Sequence, residues 1–469
     1  MAEILRCTKP LAVNPLKVSQ PVGAALAFLG LKNCIPMLHG SQGCTAFGKV
    51  FFVRHFREPI PLQTTAMDQV STIMSADENV IEGLRVICEK NKPDIIGLPT
   101  TGLSETQGVD IKRLVREFRA KYPQFAATAV VPVNTPDYVG CLETGYALAV
   151  EAIIDTLVEK SALAGRRGKQ VNVLASSMLT PGDIEAIRDW IEAFGLRAVI
   201  LPDIGDSLDG HLVESETSPL TLGGTPKSEI AAMGESIATL VVGRSLNKAA
   251  DVLRERSGVP DYRFDHLIGL EACDAFTMAL SAISGQAVPA KIDRRRAQLQ
   301  DAMVDTHFMT GFLRVGIAAD PDLLVALGRF LAGVGAEIVA AVSPHAPKSG
   351  AEILTEMPTD SVRIGDLEDL ERAALAGRAQ LIVSNSHAVS CAARLGVPIM
   401  RAGFPQYDWV GGYAQAWVGY RGARQALFDV ANLFLGNHHD IPVYRSLYGG
   451  GAERDTQGRS ALGAGVVRN

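Results

Sequence analysis

One cysteine in a glycine-rich segment is the residue of this chain best suited to bind a metal. Cys44 ends the run Leu38-His-Gly-Ser-Gln-Gly-Cys, in which Gly40 and Gly43 lie close to the thiol. Glycine permits positive φ angles and close backbone approach, and N–H groups beside a cysteine thiolate can hydrogen-bond the inorganic sulfides of an iron-sulfur cluster. An isolated cysteine is more often a buried core residue. The glycines favour a ligand, so we predict that Cys44 binds a metal cluster with loop support from Gly40 and Gly43.

Cys44 cannot hold such a cluster alone, because a cluster takes about four ligands. The chain has seven cysteines, and none of them forms a Cys-x-x-Cys pair. Five cysteines stand in apolar or helical contexts that predict core packing, namely Cys34, Cys88, Cys141, Cys273 and Cys391. If Cys44 is a ligand, the remaining ligands must therefore come from a different polypeptide.

The same segment partly matches a phosphate-binding loop. The spacing Gly43-x4-Gly48-Lys49 fits, but Val50 stands where a hydroxyl should bind Mg²⁺. The preceding stretch contains Pro36, which predicts that no clean buried strand leads into the segment. We therefore predict no nucleotide site here, and no dinucleotide-binding fingerprint lies between a strand and a helix elsewhere.

Three other polar segments are better explained as structure. Residues 438–440, His-His-Asp, predict a helix cap or a solvated turn, and residues 305–307, Asp-Thr-His, are predicted to lead into a strand with a structural histidine. Residues 100–105 follow a predicted strand, where open α/β sheets build their sites, but Gly102 offers no side chain there. These patterns contain no evident catalytic acid, base or nucleophile.

The elements that position Cys44 are predicted to be those of doubly wound α/β domains. Residues 180–183, Thr-Pro-Gly-Asp, predict the start of a helix that continues to residue 194. Between amphipathic helical stretches lie short β-branched apolar runs that predict buried parallel strands. These runs are residues 94–98, 129–133, 171–175, 198–201, 239–243, 313–317, 336–340 and 381–384.

A chain of 469 residues is too long for one compact domain. The apolar pattern lapses near residues 161–170, and a basic stretch at 291–299 precedes a new strand. We therefore predict an α/β domain over 1–165 that carries Cys44, a second over 166–290 and a third over 291–440. Residues 441–469 are rich in Gly and Arg and predict a mobile tail.

Composition excludes several classes of partner. The 45 basic and 51 acidic residues give a net charge of −6 without long like-charge runs, so nucleic acid is not expected. No apolar run is long enough to span a bilayer, and the N-terminus lacks an apolar signal core. An odd number of widely spaced cysteines argues against a disulfide framework. We predict a cytoplasmic protein with no membrane or nucleic-acid partner.

Seven segments spread over nearly the whole chain carry a family pattern: residues 14–24, 38–44, 54–59, 100–105, 301–307, 319–322 and 401–405. With these segments the chain resembles the β-type subunits of nitrogenase and its relatives, and most closely their cofactor-assembly subunits. The resemblance places the P-cluster cysteines of a catalytic β-subunit at Ser19, Cys44 and Gly102. Because only Cys44 is kept, the resemblance implies one ligand to a smaller [4Fe-4S] cluster, with three cysteines from an α-like partner.

The resemblance also implies an architecture and a role. Three Rossmann-like domains would pair with a NifE-type α-like subunit, and two such pairs would form an α2β2 heterotetramer. The complex would be a scaffold for the iron-molybdenum cofactor, whose precursor the partner mainly holds. The nitrogenase Fe protein would dock over the shared cluster, which could pass electrons, and cofactor-delivery proteins would take part. The chain itself would be a scaffold subunit and not an enzyme.

Three alternatives remain from the sequence. A catalytic nitrogenase β-subunit would need more cluster thiolates than Ser19 and Gly102 allow. A subunit of a dark-operative protochlorophyllide-type reductase would share the fold and a cluster divided between two chains. A multi-domain nucleotide-binding enzyme has little support, because Val50 breaks the phosphate-loop pattern.

Overall fold

The described part of this computed structural model comprises residues 1–6, 9, 12–212, 218–346 and 351–437. Its strands are short and mostly buried. In chain order they are β1 (Glu3–Arg6), β2 (Cys34–Leu38), β3 (Gln63–Thr64), β4 (Ile95–Pro99), β5 (Ala129–Val133), β6 (Arg167–Ala175), β7 (Arg197–Leu201), β8 (Ser236–Val242), β9 (Asp261–Phe264), β10 (Arg314–Ala318), β11 (Glu337–Ser343), β12 (Ser361–Ile364), β13 (Leu381–Ser384) and β14 (Ile399–Arg401).

Helices separate these strands. They are α1 (Gln20–Leu29), α2 (Gln42–Phe56), α3 (Gln69–Met74), α4 (Asp77–Asn91), α5 (Gly102–Thr106), α6 (Ile111–Lys121), α7 (Leu142–Leu157), α8 (Pro181–Glu192), α9 (Ile204–Ser207), α10 (Lys227–Ala231), α11 (Asn247–Ser257), α12 (Leu270–Ser284), α13 (Ala290–Thr310), α14 (Pro321–Gly333), α15 (Ala351–Thr355), α16 (Leu367–Ala376), α17 (Val389–Leu395) and α18 (Gly419–Asn437).

The strands form three parallel sheets. Their orders are β3-β2-β4-β5, β7-β6-β8-β9 and β1-β12-β11-β10-β13-β14. In the first two sheets the chain starts at an inner strand, builds outward on one side and then returns to the other, which is the doubly wound pattern. The third sheet follows the same pattern from β10 onward, and β1 is added at its edge beside β12. The predicted α/β class is confirmed, and all eight predicted strands are present.

The predicted helix after Thr180 is also confirmed as α8. Its cap is reciprocal: Thr180 Oγ1 accepts from the Asp183 N–H at 3.0 Å, and the Asp183 carboxylate accepts from the Thr180 N–H at 3.0 Å. The other Asp183 oxygen accepts from the Val418 N–H at 2.9 Å. Burial raises the pKa of Asp183 to about 6. This carboxyl therefore ties α8 to the segment that enters α18.

Helix α1 is buried along its whole length because it packs closely on α7. A Cβ on Gly23 would lie 1.9 Å from the Leu142 carbonyl oxygen, and a Cβ on Gly145 would lie 2.0 Å from the Gln20 carbonyl oxygen. These two glycines let the helix backbones touch. The contact holds Ser19, at the start of α1, in a defined place.

Some predictions about local structure were wrong. Residues 305–307 lie within the last turns of α13 and do not lead directly into a strand. Strand β1 joins the third sheet, where Glu3 pairs with Ser361, although residues 1–165 were predicted to form one unit. The N-terminal strand thus reaches a sheet built from the end of the chain. The boundaries near 165 and 290 stay predictions, and residues 438–469, with the predicted tail and the His-His-Asp turn, lie outside the described residues.

No helix in the described ranges is both long and apolar enough to cross a membrane.

Candidate cluster-binding site

Cys44 follows a strand at the point where the first sheet reverses its direction of winding. The chain passes from β2 to β3 on one side, and then crosses to β4 on the other side of β2. A cleft opens at such a switch point, beyond the carboxyl ends of the two strands. His39 and Thr100, which directly follow β2 and β4, form an isolated parallel bridge. The segments that start α2 and α5 therefore lie side by side.

Cys44 is the third residue of α2 and is exposed. The preceding Ser41 is extended, with φ −73° and ψ 159°, and its side chain does not cap the helix. Ser41 Oγ instead donates to Cys44 Sγ at 3.4 Å. The first-turn N–H groups of a helix lack intrahelical partners and favour negative charge. The start of α2 therefore presents a thiol and uncapped amides to an anionic ligand.

The two glycines of the segment differ in what they do. A Cβ on Gly40 would lie 2.5 Å from Thr101 Oγ1, whereas a Cβ on Gly43 would find its nearest neighbour, Ser41 Oγ, 4.0 Å away. Neither glycine has a positive φ angle. Gly40 thus allows close approach, as expected, but to the neighbouring loop of the same chain. Gly43 leaves open space beside Cys44.

Buried contacts of His39 hold the Cys44 segment in place. It is fully buried, and its Nδ1 lies 2.9 Å from Thr65 Oγ1. Burial lowers the pKa of His39 to about 4, so the ring is neutral at pH 7. Its carbonyl oxygen accepts hydrogen bonds from Thr101 Oγ1 and Ser104 Oγ, both at 2.9 Å. His39 therefore fixes the β2–α2 connection against α5.

The start of α5 is occupied by a carboxylate. The Gly102 N–H donates to Asp137 Oδ2 at 3.0 Å, and a Cβ on Gly102 would lie 3.3 Å from the same oxygen. Burial raises the pKa of Asp137, and Lys17 Nζ donates to the Asp137 carbonyl oxygen at 3.1 Å. Asp137 was not predicted as a site residue, because it follows β5 without a local motif. The Gly102 N–H at the start of α5 thus has a side-chain acceptor within the chain, whereas no side chain caps the start of α2.

The phosphate-loop resemblance disappears in three dimensions. Strand β2 is fully buried despite Pro36, so the prediction that no clean strand precedes the segment was wrong. Gly43, Gly48 and Lys49 nevertheless all lie inside α2. A phosphate loop needs a turn whose free N–H groups surround the phosphate. A helix over these residues provides no such turn.

The other described cysteines are buried, which confirms the prediction of core packing for Cys34, Cys88, Cys141, Cys273 and Cys391. Burial raises the pKa of all five thiols, that of Cys391 to about 11. Within the described ranges, no group of three or more His, Cys, Asp or Glu side chains could hold a metal ion. Among the six cysteines that the structure describes, Cys44 alone is exposed, which suits a cluster that another chain completes.

An apolar surface adjoins Cys44. Phe47 lies one helical turn further along α2, with 67% of its surface exposed, and packs edge-on against Phe51 at 4.8 Å between ring centroids. The nearby α3 exposes Val70, Ile73 and Met74 by 68%, 82% and 79%. We call Phe47, Phe51, Val70, Ile73 and Met74 the α2–α3 face. Clustered exposed apolar side chains of this kind mark interaction surfaces.

Known proteins resemble the chain over nearly its full length. A family model described as nitrogenase component 1 type oxidoreductase matches residues 19–435. The nitrogenase iron-molybdenum cofactor biosynthesis protein NifN of Klebsiella pneumoniae is 46% identical over 446 residues, which cover 95% of this chain and 96% of that protein. NifN of Rippkaea orientalis is 45% identical and covers 94% of this chain and 99% of its own length.

Solved structures agree with the fold. A chain of nitrogenase Cp1 at pH 6.5 superposes with a TM-score of 0.87 at 30% identity, covering 94% of this chain and 98% of that one. A chain of nitrogenase Cp1 at pH 5 superposes with a TM-score of 0.68 at 13% identity and shares the fold alone.

Proposed function

Because the chain belongs to the nitrogenase component 1 type oxidoreductase family, we propose that it is a NifN-type subunit of the scaffold on which the iron-molybdenum cofactor of nitrogenase is assembled. The observation that carries this proposal is the identity of 46% and 45% to NifN proteins over nearly the whole of both chains. The nitrogenase Cp1 chain is less similar, at 30% identity. The assembly subunit is therefore favoured over the catalytic β-subunit.

Within this scaffold, Cys44 supplies one thiolate to a [4Fe-4S] cluster shared with a NifE-type α-like subunit. Support comes from the exposure of Cys44 and from its place at the uncapped start of α2. The amides of that turn favour negative charge, and the Ser41 hydroxyl donates to Cys44 Sγ. Hydrogen bonds to cluster sulfurs raise the reduction potential, and the cluster supplies one-electron transfer.

Neither Ser19 nor Gly102 contributes a ligand in this proposal. Ser19 precedes α1 and carries no thiol, and the Asp137 carboxylate already occupies the start of α5. A carboxylate in this position would repel an anionic cluster. This arrangement disfavours the eight-iron P-cluster of a catalytic β-subunit, and it supports a smaller cluster held mainly by the partner.

The α2–α3 face is the surface that the α-like partner covers. Its apolar side chains lie on α2, the helix that carries the thiol, and on α3, shortly before which the Met67 N–H donates to the Gly40 carbonyl oxygen at 2.9 Å. One contact with the partner could therefore bury both the face and the thiol. Two such pairs form an α2β2 heterotetramer, with the cofactor precursor held mainly by the α-like subunit. The nitrogenase Fe protein docks over the shared cluster, and cofactor-delivery proteins exchange the precursor. The complex works in the cytoplasm as an assembly scaffold and not as an enzyme.

The test is anaerobic co-expression with a NifE-type subunit, followed by iron analysis and EPR of the purified complex. Wild type is compared with Cys44→Ala and with Cys88→Ala, which removes a buried thiol from the same sheet unit. We expect both variants to bind the partner and only Cys44→Ala to lose or alter the [4Fe-4S] signal. An unchanged signal in Cys44→Ala would remove Cys44 from the ligand set, and failure of wild type to bind the partner would reject the scaffold.

A dark-operative protochlorophyllide-type reductase subunit is the second candidate, because it shares the fold and a cluster divided between chains. Tetrapyrrole binding by the purified complex would favour it. We expect none.

A further inference from the structure

Three carboxyl groups meet where elements from all three sheets come together. Glu143 lies in the first turn of α7, and Asp320 and Asp322 lie at the start of α14. The Asp322 N–H donates to Glu143 Oε2 at 2.8 Å. The N–H of Ser245, which follows β8, donates to Asp322 Oδ2 at 3.0 Å. We call Glu143, Asp320 and Asp322 the carboxyl junction. It joins α7, α14 and the segment after β8, each of which follows a strand of a different sheet.

The carboxyl junction is buried without enough positive charge to balance it. Glu143 and Asp322 are only 2% and 3% exposed. The charged groups that face Glu143 are the other two carboxyls of the junction, which repel it. Arg244 and Asp265 face Asp322, but Arg244 already binds Asp265 and a second carboxylate. The starts of α7 and α14 supply about half a positive charge each. Full ionisation would leave an uncompensated buried charge, which favours the protonated form.

The three carboxyls change their protonation in an accessible pH range. Burial raises the pKa of Asp320 and of Asp322 to about 6. Burial, and then repulsion from Asp322, raises the pKa of Glu143 well above its ordinary value. The Cys141 thiol faces Asp320, and Lys17 faces that thiol from the segment before α1. Each carboxyl therefore binds its proton more tightly in the closed junction than in water, and the closed junction loses stability as pH rises.

We propose that the carboxyl junction is a proton-dependent latch, which holds the three sheet units together while it is protonated and loosens as it ionises. Ionised Glu143 and Asp322 would repel each other across the contact that now joins α7 to α14. Separation would first expose Cys141, the fully buried residue at which α7 begins. The same β5–α7 connection carries Asp137, so loosening would reach the start of α5. The inference holds whether or not the chain contributes to a shared cluster.

Thiol labelling tests the latch, because Cys141 reports on its opening. The purified complex with the NifE-type subunit is treated with N-ethylmaleimide at pH 6, 7 and 8, and labelling of Cys141 is followed by mass spectrometry. Its rate is divided by that of Cys273, a fully buried thiol in α12, so that the common effect of thiol ionisation cancels. Glu143→Gln keeps an oxygen for the Asp322 N–H but cannot ionise. Glu151→Gln, on the same helix, removes an ion pair with Lys248 and is the matched control.

We expect the ratio of the two labelling rates in wild type to rise by about tenfold from pH 6 to pH 8, since each unit of pKa difference between the closed and open states changes their ratio tenfold. The ratio should stay low and constant in Glu143→Gln, and Glu151→Gln should follow wild type. Asp322→Asn, a second variant that cannot ionise, should also flatten the rise. A constant ratio in wild type would overturn the proposal on its own, even if the variants failed to fold. An undiminished rise in Glu143→Gln and Asp322→Asn would overturn it too, because other groups would then control the opening.

Discussion

Substituting the two glycines of the Cys44 segment should give opposite effects on stability. In Gly40→Ala the new Cβ would lie 2.5 Å from Thr101 Oγ1 and 2.7 Å from its Cγ2. Thr101 would have to move, and its hydrogen bond to the His39 carbonyl oxygen, now 2.9 Å, would be lost. Overpacking costs about 1–3 kcal/mol and a buried hydrogen bond about 1 kcal/mol. We expect Gly40→Ala to lower the free energy of unfolding by about 2–4 kcal/mol.

Gly43→Ala is the matched control on the same segment. Its Cβ would meet open space, and Gly43 lies in the first turn of α2. Alanine in a helix is favoured over glycine by up to about 1 kcal/mol. Thermal unfolding of the purified chain, monitored by circular dichroism, should therefore rank Gly43→Ala at or above wild type and Gly40→Ala clearly below it. If the two variants melted together, the contact between Gly40 and Thr101 would be wrong.

Three further outcomes are expected. Burial raises the pKa of Asp183 to about 6, so the contribution of this carboxyl to the free energy of unfolding falls as pH rises from about 4 to 6 and then levels off. Urea titrations should show this as a change of about 3 kcal/mol over that range in the difference between Asp183→Asn and wild type, in favour of the variant at the higher pH. Arg244→Met should lower the free energy of unfolding by about 1–2 kcal/mol, because it breaks the bidentate pairs with Asp265 and Glu356. The control Arg372→Met removes an exposed ion pair with Glu368 on one helix and should stay within about 0.5 kcal/mol of wild type in the same assay. Phe47→Asp should abolish co-purification with the NifE-type subunit without changing the melting temperature, unlike Leu375→Asp, which should retain the partner.

Sequence patterns predicted strands correctly where the segment is buried on both faces of its sheet. The runs that became β4 and β13 are short, largely apolar and buried at every residue, and such sequences are typical of central parallel strands. Strands β1 and β9 escaped prediction because they are four-residue edge strands with exposed charged or polar side chains. Their pairing depends on a distant partner, which no local pattern records.

Strand β2 shows how a correct rule can mislead. Proline is disfavoured in central strands because it lacks an N–H. Here β3 pairs only with Met37 and Leu38, so Pro36 lies where one side of β2 has no neighbouring strand. The rule applies, but the sheet is narrower at that position than the sequence suggested.

The site was only partly accessible from sequence. Cys44 stood out because glycines surround it, and the structure adds that it is exposed at a helix start. Asp137 could not be found in this way, since it meets Gly102 only after β4 and β5 are paired. Contacts between loops that follow neighbouring strands are a product of the tertiary fold.

Alkylation of Cys44 in the anaerobic complex tests the central claim most directly. The thiol is exposed in this chain, whereas five other cysteines are buried and serve as internal controls. In the intact complex with the NifE-type subunit, iodoacetamide should leave Cys44 unmodified, and removal of iron by a chelator should make it reactive while the two subunits stay together. If Cys44 were alkylated with the cluster intact, or stayed unreactive after iron removal, it would not be a cluster ligand.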